Sequence, residues 1–353
     1  MRTPALIVAV VAALAAGCST LGYYMQSVEG QLSMLQSRQE ITQVLADPAT
    51  PAPLKKRLES ALTIRDFASS ELKLPDNDSY RSYADLRRPY VVWNVFATKE
   101  FSIRPEQWCF PIVGCVGYRG YFSKTGADGF ASELRGEGYD VYVGGVPAYS
   151  TLGWFNDPML NTFVNYSDYE VARLIFHELA HQVMYTKGDT EFNESFAVAV
   201  ELEGVARWMA RYGDDKMRAD AARAQQRRAQ FADLVLKYRH ELGGLYRTKL
   251  APAEMRARKA ATFDALKQDY RQLKTDEWGG FAGYDRFLED PNNAKLASIS
   301  FYNTLVPQFQ RLLAKLDGNL PVFYAEVKRL AALSKPARYR ALGAAPPETG
   351  ESL

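Results

Sequence analysis

Between Ser167 and Gly213 the apolar positions fall into two helical stretches. Val171, Leu174, Ile175 and Val183 recur at the three- and four-residue spacing that gives a helix one buried stripe. Ser167-Asp168-Tyr169-Glu170, just ahead of them, has the Ser-x-x-Glu form of a capping box and sets the helix start. Lys187-Gly188 reads as its stop, a basic last turn followed by a residue that tolerates left-handed geometry. A second helix is predicted from near Asn193 through Phe196, Val200 and Val205 to Gly213, so residues 167–213 form a helix hairpin.

Upstream, residues 22–75 read as two helices separated by the Pro-rich break Asp47 to Pro53, with Thr50 and Pro51 as cap and first position of the second. Residues 88–155 are β-rich: Tyr90 to Ala97, Gly117 to Phe122 and Asp140 to Val143 cluster β-formers between Gly and Pro, with a helix over 125–138. Downstream, residues 214–343 are helical. The first part is charged, broken at Gly243-Gly244 and restarted near Pro252; three more helices lie within 296–341, and the polar tail 344–353 reads as disordered. The pattern predicts an α+β chain, a single unit over 18–353 with one small mixed β-sheet and a large helical remainder.

A chain 47% hydrophobic and 24% charged can bury a large core, and its formal charge of +2 gives no reason to expect nucleic acid as a partner. The arginine-heavy run Arg223 to Arg228 reads as a solvated helix face, because acidic residues recur in the same stretch. Residues 1–17 read as a lipoprotein signal peptide: Arg2, a short apolar run from Ala5 to Ala13, and Leu14-Ala15-Ala16-Gly17 before Cys18. Cleavage there leaves Cys18 to carry lipid and anchor the protein to a bacterial membrane facing the periplasm; Ser19 points to outer-membrane sorting. In that oxidising compartment the remaining pair, Cys109 and Cys115, is expected to form a disulfide.

His177-Glu178-Leu179-Ala180-His181 carries the chemistry, and two of the chain's three histidines fall within it. Histidines four apart on a helix share a face, so both imidazoles reach one ion. Glu178 is placed to take a proton from a water that zinc has acidified. A catalytic zinc has three protein ligands and an open position. Glu194 is the preferred third ligand, in the first turn of the second helix, where the helix dipole favours a carboxylate. Glu201 and Glu203 compete for that role, and Glu201 is the candidate to orient a ligand histidine from behind.

His177-Glu178-x-x-His181 followed by Asn193-Glu194-Ser195-Phe196-Ala197 resembles the glutamate-zincin pattern, in which an Asn-Glu pair on a following helix completes the site. Cys115 to Phe122, Gly145 to Phe155 and Leu174 to Gly204 together resemble a family of bacterial lipoproteins described as zinc aminopeptidases. The resemblance implies a zincin-like fold, one Zn2+, and hydrolysis of peptides. Val198 departs from the thermolysin-like version, which places an aspartate there, and the gap from His181 to Glu194 is short.

Other roles stay open. Tyr302 and Tyr149 are candidates to donate to the oxyanion, and His240 reads as a surface residue. Asp140 to Gly145 is the candidate edge strand for a peptide, with Gly144-Gly145 letting its backbone approach. Glu201, Glu203 and Asp140 are candidates to bind a substrate ammonium. A zinc endopeptidase is the alternative within the same chemistry, and a non-catalytic lipoprotein that keeps the scaffold for binding or assembly is the alternative outside it.

Overall fold

The computed structural model describes residues 22–110 and 113–345, apart from the side chains at 301–303. The signal segment, Cys18 and the tail from 346 onward lie outside the described residues. Helix α1 spans residues 22–36. It is followed by α2 (Ile41–Ala46) and α3 (Ala52–Ser70), so this region holds three helices rather than two. The break at Asp47 to Pro53 separates α2 from α3. Pro51 is the extended residue before α3, and Pro53 sits in the first turn, where a missing N–H is tolerated.

Among the described residues the strands form three small sheets instead of one. β1 (Gln39–Glu40), β2 (Ser82–Ala84) and β8 (Met159–Leu160) make the mixed one, β1–β2 antiparallel and β2–β8 parallel. β3 (Val92–Lys99) lies between β6 (Arg119–Tyr121) and β7 (Tyr139–Val146), all antiparallel. β4 (Trp108–Phe110) and β5 (Gly114–Val116) form a hairpin in which Cys109 and Cys115 face each other and are joined by a disulfide. On the chain-entropy model a loop this short contributes roughly 2–2.5 kcal/mol. Helix α4 (Lys124–Gly136) covers one face of the β3 sheet, packing Ala127, Ala131 and Leu134 on Trp93, Val95 and Val141.

The hairpin is α5 (Asp168–Val183) and α6 (Thr190–Tyr212). Ser167 Oγ accepts the Glu170 amide at 3.3 Å, as the capping box predicts. Helix α5 ends at Val183, before the predicted Lys187-Gly188 stop, and Gly188 (φ 73°) lies in the connecting loop. Helix α6 starts at Thr190, three residues earlier than expected. Glu194 therefore stands in its second turn, and the first-turn dipole argument does not apply to it.

Helices α7 (Asp215–Tyr246) and α8 (Pro252–Asp276) pack through Phe231, Val235, Tyr238 and Leu242 against Phe263, Leu266 and Tyr270. The predicted break at Gly243-Gly244 does not occur. A side chain on Gly243 would bring a Cβ to 2.7 Å from Ile103 Cδ1, so close packing accounts for the glycine while the helix continues. After the short α9 (Asp285–Leu288) come α10 (Asn293–Asn303), α11 (Val306–Lys315), α12 (Leu320–Ala331) and α13 (Lys335–Ala341), four helices where three were predicted. Helix α10 brings Ala294 to the second face of the β3 sheet, beside Phe96 and Tyr142. Phe176, Phe192, Phe196, Phe309 and Phe323 are fully buried and lock α5 and α6 to α11 and α12, each worth roughly 1.5–3 kcal/mol of burial. Among the described residues no helix is long and apolar enough to cross a membrane.

Candidate metal centre and cleft

His177 and His181 stand on one face of α5 with ring centroids 4.9 Å apart. Helix α6 brings Glu194 to them: its Oε2 lies 3.3 Å from His177 Nε2 and 3.6 Å from His181 Nε2. Ligand atoms from all three residues fall within 4.8 Å of one another. Donors held about 2.1 Å from a tetrahedral ion are spaced ~3.4 Å apart. The two Glu–His separations match that edge length, and two imidazoles with one carboxylate are a donor set suited to zinc.

The register between the helices is set at the turn. Asn193 is buried; its Oδ1 accepts the Thr186 amide at 2.9 Å and its Nδ2 donates to the Thr186 carbonyl at 2.8 Å. The α6 start is clamped from α13, where Arg338, Lys335 and the Tyr339 hydroxyl converge on buried Asp189. In the Asn193-Glu194 pair, the first residue thus closes the loop and the second faces the histidines.

Glu201, two turns beyond Glu194, meets the opposite nitrogen of His177, with Oε2 3.0 Å from Nδ1. Its Oε1 accepts from Arg173 Nη1 at 2.7 Å. Arg173 Nε also reaches Glu170 Oε2 at 3.1 Å, and Arg228 Nη2 reaches Glu170 Oε1 at 3.0 Å. Burial alone would raise the Glu201 carboxyl; Arg173 and His177 outweigh it and hold Glu201 at about 2. Glu194 is likewise opposed by burial but pulled down to about 2 by His181 and His177. Burial disfavours a charged His177 as well, yet its bonds to Glu194 and Glu201 push it up to about 10. Glu178 behaves differently: burial raises it, with only partial relief from the two histidines.

These residues border a cavity of about 1040 Å³. Its walls are the ligand faces of α5 and α6, the outer side of β6 with Tyr118, Gly120 and Phe122, the Pro147–Ser150 segment, Arg228 and Asp233 of α7, and Tyr23, Ser27 and Gln31 of α1. Tyr149 lines it, its hydroxyl bonded to Gln31 Oε1. Val198 also faces it, and Glu201 one turn farther makes the carboxylate–histidine contact that Val198 cannot.

Several expected residues lie elsewhere. Gly144 and Gly145 do not border the cavity: added side chains would strike Tyr142 at 3.1 Å and Tyr90 at 2.2 Å, so these glycines make room for rings of the protein itself. Strand β7 borders the cavity only through its last residue, Val146, whereas β6 borders it through Gly120, with Tyr118 and Phe122 on either side. Asp140 is held by Lys259 at 2.7 Å and by the Asn293 amide at 3.0 Å, and Glu203 by Arg207 at 2.7 Å; neither reaches the cavity. His240 is exposed on α7. Tyr302 belongs to α10, but its side chain lies outside the described residues. The Arg223 to Arg228 run is not solvated throughout, since Arg227 covers the Phe281 ring at 4.2 Å and Arg228 braces Glu170.

Three cavity-lining tyrosines were not singled out from the sequence: Tyr23 of α1, Tyr118 and Tyr185. Tyr185 donates to the Val113 carbonyl at 3.2 Å. Tyr118 lines the same cavity and is raised well above its ordinary value, first by burial and then by the charges of Glu194 and Glu178. Alternation in Tyr118-Arg119-Gly120-Tyr121-Phe122 was the available signal, because it puts Tyr118 and Phe122 on one side of the strand.

Residues 22–342 match the family model described as "Putative aminopeptidase", and the chain belongs to that family. No curated protein and no solved structure matches it.

Proposed function

With membership of that family as the premise, we propose that the protein is a zinc-dependent aminopeptidase. The observation that carries this reading is the convergence of His177, His181 and Glu194 within 4.8 Å in the wall of a peptide-sized cavity, next to buried Glu178. His177, His181 and Glu194 would hold the ion. Zinc, when bound, lowers the pKa of water towards ~7 and polarises the carbonyl under attack. Glu178 takes the proton from the attacking water and returns it to the leaving amine. Its raised pKa suits that two-way traffic, since a base poised closer to neutral also serves as an acid. Glu201 fixes the His177 ring through Nδ1 and keeps Nε2 turned towards Glu194, where it would hold the ion. Tyr118, which lines the cavity and feels the charges of Glu194 and Glu178, is the donor assigned to the developing oxyanion.

The test is metal content together with hydrolysis of free peptides. Wild-type protein should carry about one zinc and release N-terminal residues, and His177→Ala or His181→Ala should lose both properties. Equal zinc in the wild type and both variants would overturn the metal assignment. The proposal extends to location: lipid on Cys18 anchors the protein at the periplasmic side of the membrane, so Cys18→Ser should leave the membrane fraction.

A further inference from the structure

Helix α1 is placed where an extended substrate would be expected to run. A peptide bound beside a sheet usually pairs with the free edge of its outer strand. The edge that borders the candidate metal centre is β6, and α1 already lies along it. The Phe122 amide donates to Gln26 Oε1 at 3.0 Å, and Gly120 and Tyr23 line the cavity together. Arg119 lies over the Tyr23 ring at 4.1 Å, and Tyr23 packs edge-on against Tyr121 at 5.5 Å. There is no slack between helix and strand: a Cβ on Gly30 would lie 2.2 Å from the Phe122 ring. From the same helix Gln31 reaches across to Tyr149 on the facing wall. Helix α1 therefore bridges the two walls of the cavity, while Tyr23, Ser27 and Gln31 still leave open space before the metal centre.

We propose that α1 is an end-stop, and that its contacts with β6 restrict the enzyme to peptides whose free N-terminus lies at the metal centre. This rests on the peptidase reading above. A chain extending past the scissile bond would need the Phe122 amide and the space that α1 fills. A peptide that ends at the first residue needs neither. Tyr23 and Gln26 are thus specificity-determining residues that act by occupying the strand edge, not by touching the reacting atoms.

The test compares one hexapeptide with a free N-terminus and the same hexapeptide N-acetylated, using zinc-loaded wild type, Tyr23→Ala/Gln26→Ala and the milder Gln26→Leu. The readout is the ratio of blocked to free cleavage, which a general loss of stability does not change. In the double variant that ratio should rise roughly tenfold, the factor that one net hydrogen bond at the upper end of the usual range is worth. Gln26→Leu, which keeps the packing, should move it in the same direction. A second measurement is binding of the two peptides by Glu178→Gln protein with and without the α1 substitutions, which reads exclusion even if no peptide is cleaved. Gain of blocked-peptide binding in the α1 variants supports the end-stop. An unchanged ratio, with both peptides gaining equally or neither gaining, overturns it. Absence of cleavage by wild type with the binding difference intact would reject the peptidase reading and leave the end-stop standing.

Discussion

Replacing half-buried Glu194 and buried Glu201 of α6 in turn tests which of them is metal ligand and which is support. Glu194 Oε2 faces the Nε2 atoms of both histidines at 3.3 and 3.6 Å, whereas Glu201 faces the far side of one ring, at Nδ1. Seven residues of helix place the two positions about 10 Å apart along the axis, too far for both carboxylates to bind one ion. Structural zinc sites bind with roughly 10–16 kcal/mol in total, so losing one of their ligands costs roughly 3–5 kcal/mol. Glu194→Ala should therefore weaken zinc about 10²-fold or more. Glu201→Ala removes an orienting partner, for which about 10–100-fold is expected. It also leaves Arg173 with Glu170 as its remaining partner of the pair, so a loss of thermal stability should accompany it. Glu201→Gln keeps the volume and an acceptor for one of the two bonds, and should fall between wild type and Glu201→Ala. The assay is competition with a chromophoric chelator, on protein whose folding is checked by circular dichroism. If Glu201→Ala loses more affinity than Glu194→Ala, the assignment of ligand and support is reversed.

Three further outcomes are expected. Glu178→Gln should retain zinc while turnover drops about 10²–10⁴-fold, since the amide cannot accept the proton; retained turnover would remove Glu178 as the base. Tyr118→Phe should lower kcat with little change in KM, as befits a donor used in the transition state, and an effect on KM alone would point to packing against Phe96 instead. In metal-free protein the raised His177 contributes stability that is complete below its ordinary value of 6.5 and is lost as pH rises towards about 10. Zinc requires the neutral ring, so uptake near pH 8 should expel about one proton, measurable by calorimetry in buffers of different ionisation enthalpy; none released would refute the pairing.

What the chain disclosed in advance was local. The pentapeptide on α5, the capping box at Ser167 and the restart at Pro252 depend on neighbours within a turn or so. The functions of Asn193, Arg228 and Tyr118 depend on partners that only the fold brings near. Asn193 closes a loop seven residues back, and Arg228 meets Glu170 from 58 residues away. Gly243-Gly244 and Gly144-Gly145 misled for a shared reason. Glycine marks flexibility in a single chain, but here each pair includes one that clears space for another part of the protein: Ile103 in one case, Tyr90 in the other. The short strands β1, β2 and β8 carry two or three residues each, below the length at which alternation can be read.

The Cys109–Cys115 hairpin is more than a local staple. The loop leading into β5 touches the connection between α5 and α6 twice: the Gly188 amide donates to the Val113 carbonyl at 3.4 Å, and the Tyr185 hydroxyl donates to the same carbonyl. The connection it braces is the one Asn193 pins, immediately before Glu194. A chain with free thiols keeps every metal ligand, yet its hairpin is freer by the roughly 2–2.5 kcal/mol of loop closure. The disulfide thus stiffens, from outside the candidate site, the same α5–α6 connection whose register brings Glu194 to the two histidines.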